Sequence, residues 1–235
     1  MKPYYEADGV TIYHGDALEV LPTLAASSVR AVVTDPPYVI GAVSAGNMAS
    51  KSGGWADMMN SAHWFTAWYQ QVDRVLHSTG HFWTFANWRT LPVVMRAASD
   101  ARMPITSLLV WDKECIGRGG PQGLRPSYEV VAYMPQPEAG IADRGIPDIW
   151  RHKVGSHKPT GHPAEKPEPL VRRILSTCEL PPDSLVVDPF CGSGTTAIAA
   201  RALGLRFVGV EGEESWCEAI ANRLGQGLLD LGGEA

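Results

Sequence analysis

Short apolar runs alternate along the chain with stretches whose apolar residues repeat every three or four positions. Runs rich in β-branched and aromatic residues predict buried strands. These lie at Val10–Tyr13, Val29–Thr34, His81–Ala86, Thr106–Trp111, Tyr128–Met134, Ser184–Val187 and Arg206–Val210. Spacings of three and four predict helices over about 62–77, 87–101, 168–179, 195–203 and 213–224, with a shorter one around Leu18 and Leu21.

Alternating strands and helices are typical of an α/β domain with a mostly parallel sheet and helices on both faces. The strands at 106–111 and 128–134 are joined by a loop without helical periodicity, which predicts an antiparallel hairpin ending the sheet. At 235 residues the chain fits a single domain, 1–235.

The segment 186–211 carries the strongest signal for a ligand site. Its strand ends at Asp188 and enters a turn with Gly192 and Gly194, where a missing Cβ lets the backbone approach a ligand closely. A helix and a strand then lead to Glu211, about 20 positions further on, the spacing of an acid that accepts hydrogen bonds from ribose hydroxyls.

The residues after the glycines narrow the choice of ligand. A phosphate loop would place a Lys there, but Thr195 and Thr196 follow instead. A ligand with a ribose and no pyrophosphate therefore fits better, with S-adenosylmethionine as the first candidate. The alternative is a tight turn in an ordinary α/β core.

A second candidate site follows the strand at 29–34. Asp35, Pro36, Pro37 and Tyr38 form a rigid extended corner, because two prolines fix φ and donate no backbone hydrogen bonds. Asp35 and the Pro36 carbonyl could accept hydrogen bonds from an exocyclic amino group, and Tyr38 could stack on its ring. A plain loop terminator is the alternative.

Composition sets the context for these sites. The chain is 45% hydrophobic and 19% charged, which suffices for an ordinary core, and no run approaches the roughly 20 apolar residues of a membrane span. Four widely separated cysteines match neither a metal site nor a disulfide scaffold. We therefore expect a reduced, cytoplasmic protein without a metal.

Three polar segments are candidate nucleic-acid contacts. The loop 39–61 is rich in Gly, Ser and Ala, as in a lid, and the loop after residue 112 is cationic. Residues 144–173 carry a local charge of +4, whereas the whole chain carries −5. The candidate contacts are Lys51, Trp55, Arg118, Arg125, Arg151, Lys153 and Lys158. A solvated surface loop is the alternative for residues 151–158.

With DPPY at 35–38 and DPFCGSGTT at 188–196, the chain resembles the amino-methylating DNA methyltransferases, which modify adenine N6 or cytosine N4. The catalytic motif precedes the cofactor loop, as in the permuted β group. The resemblance implies a Rossmann-like S-adenosylmethionine-dependent methyltransferase fold, with Asp35, Pro36, Pro37 and Tyr38 as catalytic residues. The implied cofactor contacts are Asp16, Lys166, Asp188, Pro189, Phe190, Gly192, Gly194, Thr195, Thr196 and Glu211.

The same resemblance implies double-stranded DNA as substrate, with a flipped target base. It places a short target-recognition segment at about 135–161, which is compatible with a homodimer, and a cognate restriction enzyme is a further expected partner. A motif that begins with Asp favours adenine N6 over cytosine N4. Two further hypotheses stay open: methylation of RNA or of a protein glutamine, and a DNA-binding module without catalysis. Cytosine ring-carbon methylation is excluded, because the chain has no Pro-Cys pair.

Overall fold

The structure is a computed structural model that describes residues 1–38, 55–117, 123–154, 161–162 and 164–231. Within these ranges one nine-stranded sheet carries helices on both faces. The strands are β1 (Tyr5–Ala7), β2 (Val10–His14), β3 (Val29–Thr34), β4 (Leu76–Ala86), β5 (Ser107–Asp112), β6 (Tyr128–Pro135), β7 (Ile149–Arg151), β8 (Leu185–Asp188) and β9 (Arg206–Glu211). The helices are α1 (Ala17–Val20), extended by a 3-10 turn (Leu21–Thr23), α2 (Trp55–Val75), α3 (Leu91–Asp100), α4 (Glu168–Thr177), α5 (Thr195–Ala202) and α6 (Glu214–Leu231).

The strand order across the sheet is β1-β2-β9-β8-β3-β4-β6-β5-β7. Strands β2, β9, β8, β3 and β4 run parallel, whereas β6 pairs antiparallel with both β4 and β5. The predicted α/β class with a mostly parallel sheet and one antiparallel hairpin is confirmed. The expectation that the hairpin ends the sheet is wrong, because β7 pairs in parallel with β5 and forms the edge.

Strand β7 lies inside the segment in which the sequence shows no regular pattern. It spans only three residues, too few for a period to be visible. Trp150 at its centre is buried, its indole N–H donates to the Pro147 carbonyl at 2.7 Å, and the Arg173 guanidinium lies 4.1 Å from the centroid of its ring. These contacts anchor the middle of the predicted target-recognition segment to the sheet.

Alternating side chains along the central strands build one core on each face of the sheet. Ala31 and Val33 of β3 face a cluster that includes α4, α5 and α6, and Val32 faces a cluster that includes α2 and α3. Trp68 of α2 is completely buried in the second cluster. None of the described helices combines the length and apolar character needed to cross a membrane.

Two helices, α2 and α6, extend well beyond their predicted bounds. Helix α2 begins at Trp55 rather than near residue 62, so residues 55–61 of the predicted lid are helical; the stretch holds good helix formers such as Met and Ala. The remainder of that lid, 39–54, lies outside the described residues. Helix α6 continues through Gly225 and Gly227 to Leu231, because each glycine costs a helix only about 1 kcal/mol.

Candidate active site

Three neighbouring parallel strands bring the two sequence motifs to one edge of the sheet. Strand β8 lies between β3 and β9 and is parallel to both. Asp35 directly follows β3, Asp188 ends β8, and Glu211 ends β9. Open α/β sheets bind ligands beyond the carboxyl ends of their strands, so this edge is the place for a ligand site.

Asp188 fixes the start of the glycine turn against the neighbouring strand. Its carboxylate accepts hydrogen bonds from the Thr34 hydroxyl at 2.6 Å, the Thr196 hydroxyl at 2.7 Å and the Phe190 amide at 3.1 Å. Burial raises the pKa of Asp188 to about 6, an effect that these hydrogen bonds only partly offset. Asp188 therefore sets the geometry of the turn through contacts within the chain.

The turn itself requires glycine at two positions. Gly192 has φ +48° and Gly194 has φ +74°, in the left-handed region that side chains disfavour. A Cβ on Gly194 would lie 2.9 Å from Cγ2 of Ile220, a completely buried residue of α6. One side of the turn is thus packed tightly against α6, and the other side faces the ligand site at the carboxyl ends of the strands.

Glu211 and Asp16 are brought side by side at the end of β9. The Glu211 carboxylate accepts from the Gly192 amide at 2.8 Å and from the Glu213 amide at 2.9 Å, and burial raises its pKa above the usual value. The Glu211 carbonyl accepts from the Gly15 amide at 3.0 Å. Asp16 is exposed and caps α1 by accepting from the Leu18 amide at 2.8 Å. Two acidic side chains therefore stand on the rim beside the glycine turn.

The other predicted cofactor residues pack behind the turn. The Phe190 ring lies against Trp64 and Trp68 of α2, with centroid distances of 5.3 and 5.2 Å, and Pro189 is buried. The Thr195 hydroxyl donates to the Lys166 carbonyl at 3.2 Å. This bond joins the segment before α4 to the turn.

Lys166 connects the glycine turn to the DPPY motif. Its ammonium pairs with Asp35 Oδ2 and lies 3.4 Å from Glu129 Oε2, while Lys113 pairs with the other oxygen of Glu129 at 2.5 Å. Burial alone would lower the pKa of Lys166, but the two carboxylates raise it. Burial would raise the pKa of Glu129, and the two lysines instead lower it. For Asp35 the effect of burial dominates, so its pKa is raised despite the lysine.

Asp35 retains an unused acceptor. Its Oδ1 is buried and receives no hydrogen bond from the described residues. Leaving such an atom unsatisfied costs about 1–3 kcal/mol, so a hydrogen bond from a ligand would be favourable here. Next to it, the Tyr38 hydroxyl donates to Glu129 Oε2 at 3.3 Å, Pro36 is buried and Pro37 is exposed. An acceptor and an aromatic ring thus converge where a planar amino group could bind.

One pocket contains residues of both motifs, which meet although about 150 positions separate them. It is lined by Thr34, Asp35, Phe85, His162, Ala164, Lys166, Val171, Asp188, Phe190, Cys191, Gly192, Ser193, Thr195 and Thr196. The sequence did not predict site roles for Phe85, Glu129 or Lys113. Only Glu129 could have been noticed in the sequence, because it is an acid within the otherwise apolar strand β6 and buried charges are rare unless they are paired.

The predicted nucleic-acid contacts are only partly described. Arg125, Arg151 and Lys153 are exposed. Arg125 Nε donates to the Gly117 carbonyl at 2.9 Å, and Arg151 lies 3.7 Å from Asp112. Trp55 is the first residue of α2. Lys51, Arg118 and Lys158 lie outside the described residues.

The sequence matches the family described as DNA methylase over residues 29–223. It is 28% identical to the type II methyltransferase M.ScaI of Streptomyces caespitosus over 269 residues, covering 95% of this chain and 84% of that protein. It is 25% identical to the DNA adenine methyltransferase YhdJ of Escherichia coli K12, covering 91% of this chain and 82% of the relative.

Solved structures show the same fold. The cytosine-N4-specific PvuII DNA methyltransferase superposes with a TM-score of 0.77 at 20% identity, covering 94% of this chain and 88% of that one. The complex of M1.HpyAVI with SAM superposes with a TM-score of 0.69 at 21% identity, and the match covers 92% of this chain and 98% of that one.

Proposed function

The chain belongs to the DNA methylase family, and on this premise we propose that it transfers a methyl group from S-adenosylmethionine to N6 of a flipped adenine in double-stranded DNA. The observation that carries the proposal is Asp35 Oδ1, which receives no hydrogen bond from the described residues and belongs to the pocket that the glycine turn also lines. The similarity to YhdJ, a DNA adenine methyltransferase, supports the choice of base.

The glycine turn and its neighbours fit S-adenosylmethionine. When bound, this cofactor supplies a methyl group activated by its sulfonium. Gly192 and Gly194 give the turn the positive-φ backbone that lines the pocket, and Glu211, on the rim, offers a carboxylate for ribose hydroxyls. Asp16, beside Glu211, is the proposed contact for the adenine of the cofactor, and Lys166 lies where the pocket meets Asp35.

The DPPY residues would activate the acceptor by position and charge. An adenine amino group is a poor nucleophile, because its lone pair is delocalised into the ring. Hydrogen bonds from this group to Asp35 Oδ1 and the Pro36 carbonyl would favour a tetrahedral nitrogen with an available lone pair, while Tyr38 stacks on the base. Positioning and electrostatics would therefore provide most of the catalysis.

Lys166 and Glu129 would hold this arrangement in place. Lys166 leaves Asp35 Oδ1 free because it pairs with Oδ2, and Glu129 accepts from the Tyr38 hydroxyl. The contact with Lys166 would orient the Asp35 carboxylate, and the contact with Glu129 would orient the Tyr38 ring. The proposed DNA contacts Arg125, Arg151 and Lys153 are exposed, and we place them with the segment at about 135–161 in target recognition.

Nucleoside mass analysis tests the proposal. DNA from cells that lack this chain is incubated with purified protein and methyl-labelled cofactor, digested, and analysed for modified nucleosides. We expect labelled N6-methyladenine. Labelled N4-methylcytosine alone would favour the second candidate, cytosine N4, which is the specificity of the PvuII enzyme with the same fold. Transfer only to RNA or to protein would refute a DNA substrate. Sedimentation of the same protein tests the proposed homodimer.

A further inference from the structure

An exposed aromatic and cationic turn stands on the same sheet edge as the active site. Trp88 and Arg89 follow β4, whose Phe85 lines the pocket three positions earlier. Trp88 is 61% exposed, and the Arg89 guanidinium lies 5.0 Å from the centroid of the Trp88 ring. Among the described residues, Trp88 meets no other aromatic ring. An exposed indole ring on the edge that carries the catalytic pocket is a candidate surface for stacking a nucleic-acid base.

The backbone of this turn is fixed rather than loose. The Asn87 side chain accepts from the Arg89 amide at 3.0 Å and from the Thr90 amide at 2.8 Å, and its carbonyl accepts from the Thr90 and Leu91 amides. Thr90 is buried. Such an Asx turn fixes the backbone that carries Trp88 and Arg89, so a partner would meet it with little cost for ordering the backbone.

Strand register extends the turn into a rim beside Asp35. Thr34 pairs with Thr84, so β3 and β4 end at the same edge, and the pairing of Ala86 with Val130 brings the start of β6 there. Tyr128, the first residue of β6, is 42% exposed. Trp88, Arg89 and Tyr128, which we call the aromatic rim, therefore follow the pocket along the sheet edge.

The rim continues into the cationic residues of the outer strands. Tyr128 pairs with Asp112 of β5, and Asp112 pairs with Arg151 of β7. The Arg151 side chain is 76% exposed and meets Asp112 at 3.7 Å, an exposed pair of little strength. Lys153 follows, also exposed. Exposed rings interleaved with cations favour nucleic acid over an apolar protein partner, because rings stack on bases and cations bind phosphates.

We infer that the aromatic rim binds the DNA next to the target base: Trp88 stacks on a base exposed when the target flips out, and Arg89 contacts a neighbouring phosphate. This rests on the proposed function, since it places the flipped base on Asp35 and Tyr38. Trp88 and Arg89 are separate from the predicted recognition segment at about 135–161, because they follow β4, and β6 and β5 lie between β4 and the β7 strand of that segment.

Substitutions at the rim test this inference. In Trp88→Ala, the affinity for a fluorescein-labelled 30-base-pair duplex pool and the KM for plasmid DNA should each worsen about tenfold. The kcat and the cofactor Kd should change by less than about twofold, because a contact made equally in the ground state and the transition state affects binding and not chemistry. Trp88→Phe should restore most of the affinity. Arg89→Gln should reduce the salt dependence of DNA binding by about one ion.

Met95→Ala is the matched control, because Met95 is also an exposed apolar residue, on α3. All variants should keep the wild-type midpoint of urea unfolding. If Trp88→Ala and Met95→Ala bind DNA equally well, the inference is wrong. It is also wrong if Trp88→Ala lowers the dimer fraction while the KM is unchanged, because the rim would then contact a second subunit. A wild-type chain that binds DNA and methylates none of it would refute the proposed function, while the binding comparison would still decide the role of Trp88.

Discussion

Replacing Lys166 with Met should destabilise the chain far more than breaking an exposed ion pair. Lys166 is the cation shared by Asp35 and Glu129, and the three side chains are only 10%, 20% and 15% exposed. Removing one partner of a buried pair costs about 3–5 kcal/mol, because a charge is left without compensation. Glu129 keeps Lys113 and Asp35 keeps some solvent contact, so we expect the low end, about 3 kcal/mol.

The pH dependence gives this prediction a second signature. Burial raises the pKa of Asp35 above its usual value even with Lys166 present. Without Lys166 that pKa should rise further, so the native state takes up a proton more readily than the unfolded chain. A carboxyl whose pKa is higher in the native state than in the unfolded chain destabilises the fold when it is ionised. This destabilisation disappears as the pH falls towards the pKa of the unfolded chain, about 4. The deficit of Lys166→Met should therefore shrink between about pH 7 and pH 5.

The assay is urea unfolding of the cofactor-free protein at both pH values, with Arg96→Met as control. Arg96 pairs with Asp100 at 2.7 Å, but their side chains are 55% and 36% exposed, so its loss should cost less than about 1 kcal/mol at either pH. Equal losses in the two variants would refute the reasoning. A Lys166→Met deficit that does not change with pH would refute the assignment to Asp35.

The remaining predictions concern the glycine turn. Gly194→Ala should lose at least about 1 kcal/mol more stability than Gly204→Ala, because both have positive φ but only the first Cβ meets Ile220; equal unfolding midpoints would contradict this. Because burial raises the pKa of Asp188 to about 6, wild-type stability should contain a component that is present below about pH 4 and lost as the pH rises through 6. Asp188→Asn should lack that component, and a variant with the wild-type pH profile of unfolding would exclude Asp188 as its source.

The sequence predicts the central sheet well because its strands are long or strongly β-branched. Strands such as β3 and β9 are mostly apolar runs between polar turns, and their ends carry the two motifs. Strands β1 and β7 escape prediction because three residues show no period. The position of β7 at the sheet edge depends on tertiary contacts of Trp150, which local pattern does not contain.

In the candidate site, too, some features have a local sequence pattern and others depend on tertiary contacts. Turn glycines and the DPPY corner have local signatures, because their backbone conformations demand particular residues. The charged network has none: Lys113 follows β5, Glu129 lies in β6 and Lys166 precedes α4, and only the folded sheet brings them together. From the sequence, this network could be anticipated only by the rule that a buried charge, such as that of Glu129, must be paired.

The central claim is that Asp35 acts on the acceptor nitrogen while the glycine turn binds the cofactor. It is tested most directly by single-turnover methyl transfer to DNA in Asp35→Ala, together with the Kd for S-adenosylmethionine. We predict a rate at least about a hundredfold below wild type, the loss typical of one electrostatic contact made in the transition state, with a cofactor Kd within about threefold. Methyl transfer at the wild-type rate by Asp35→Ala would contradict the account.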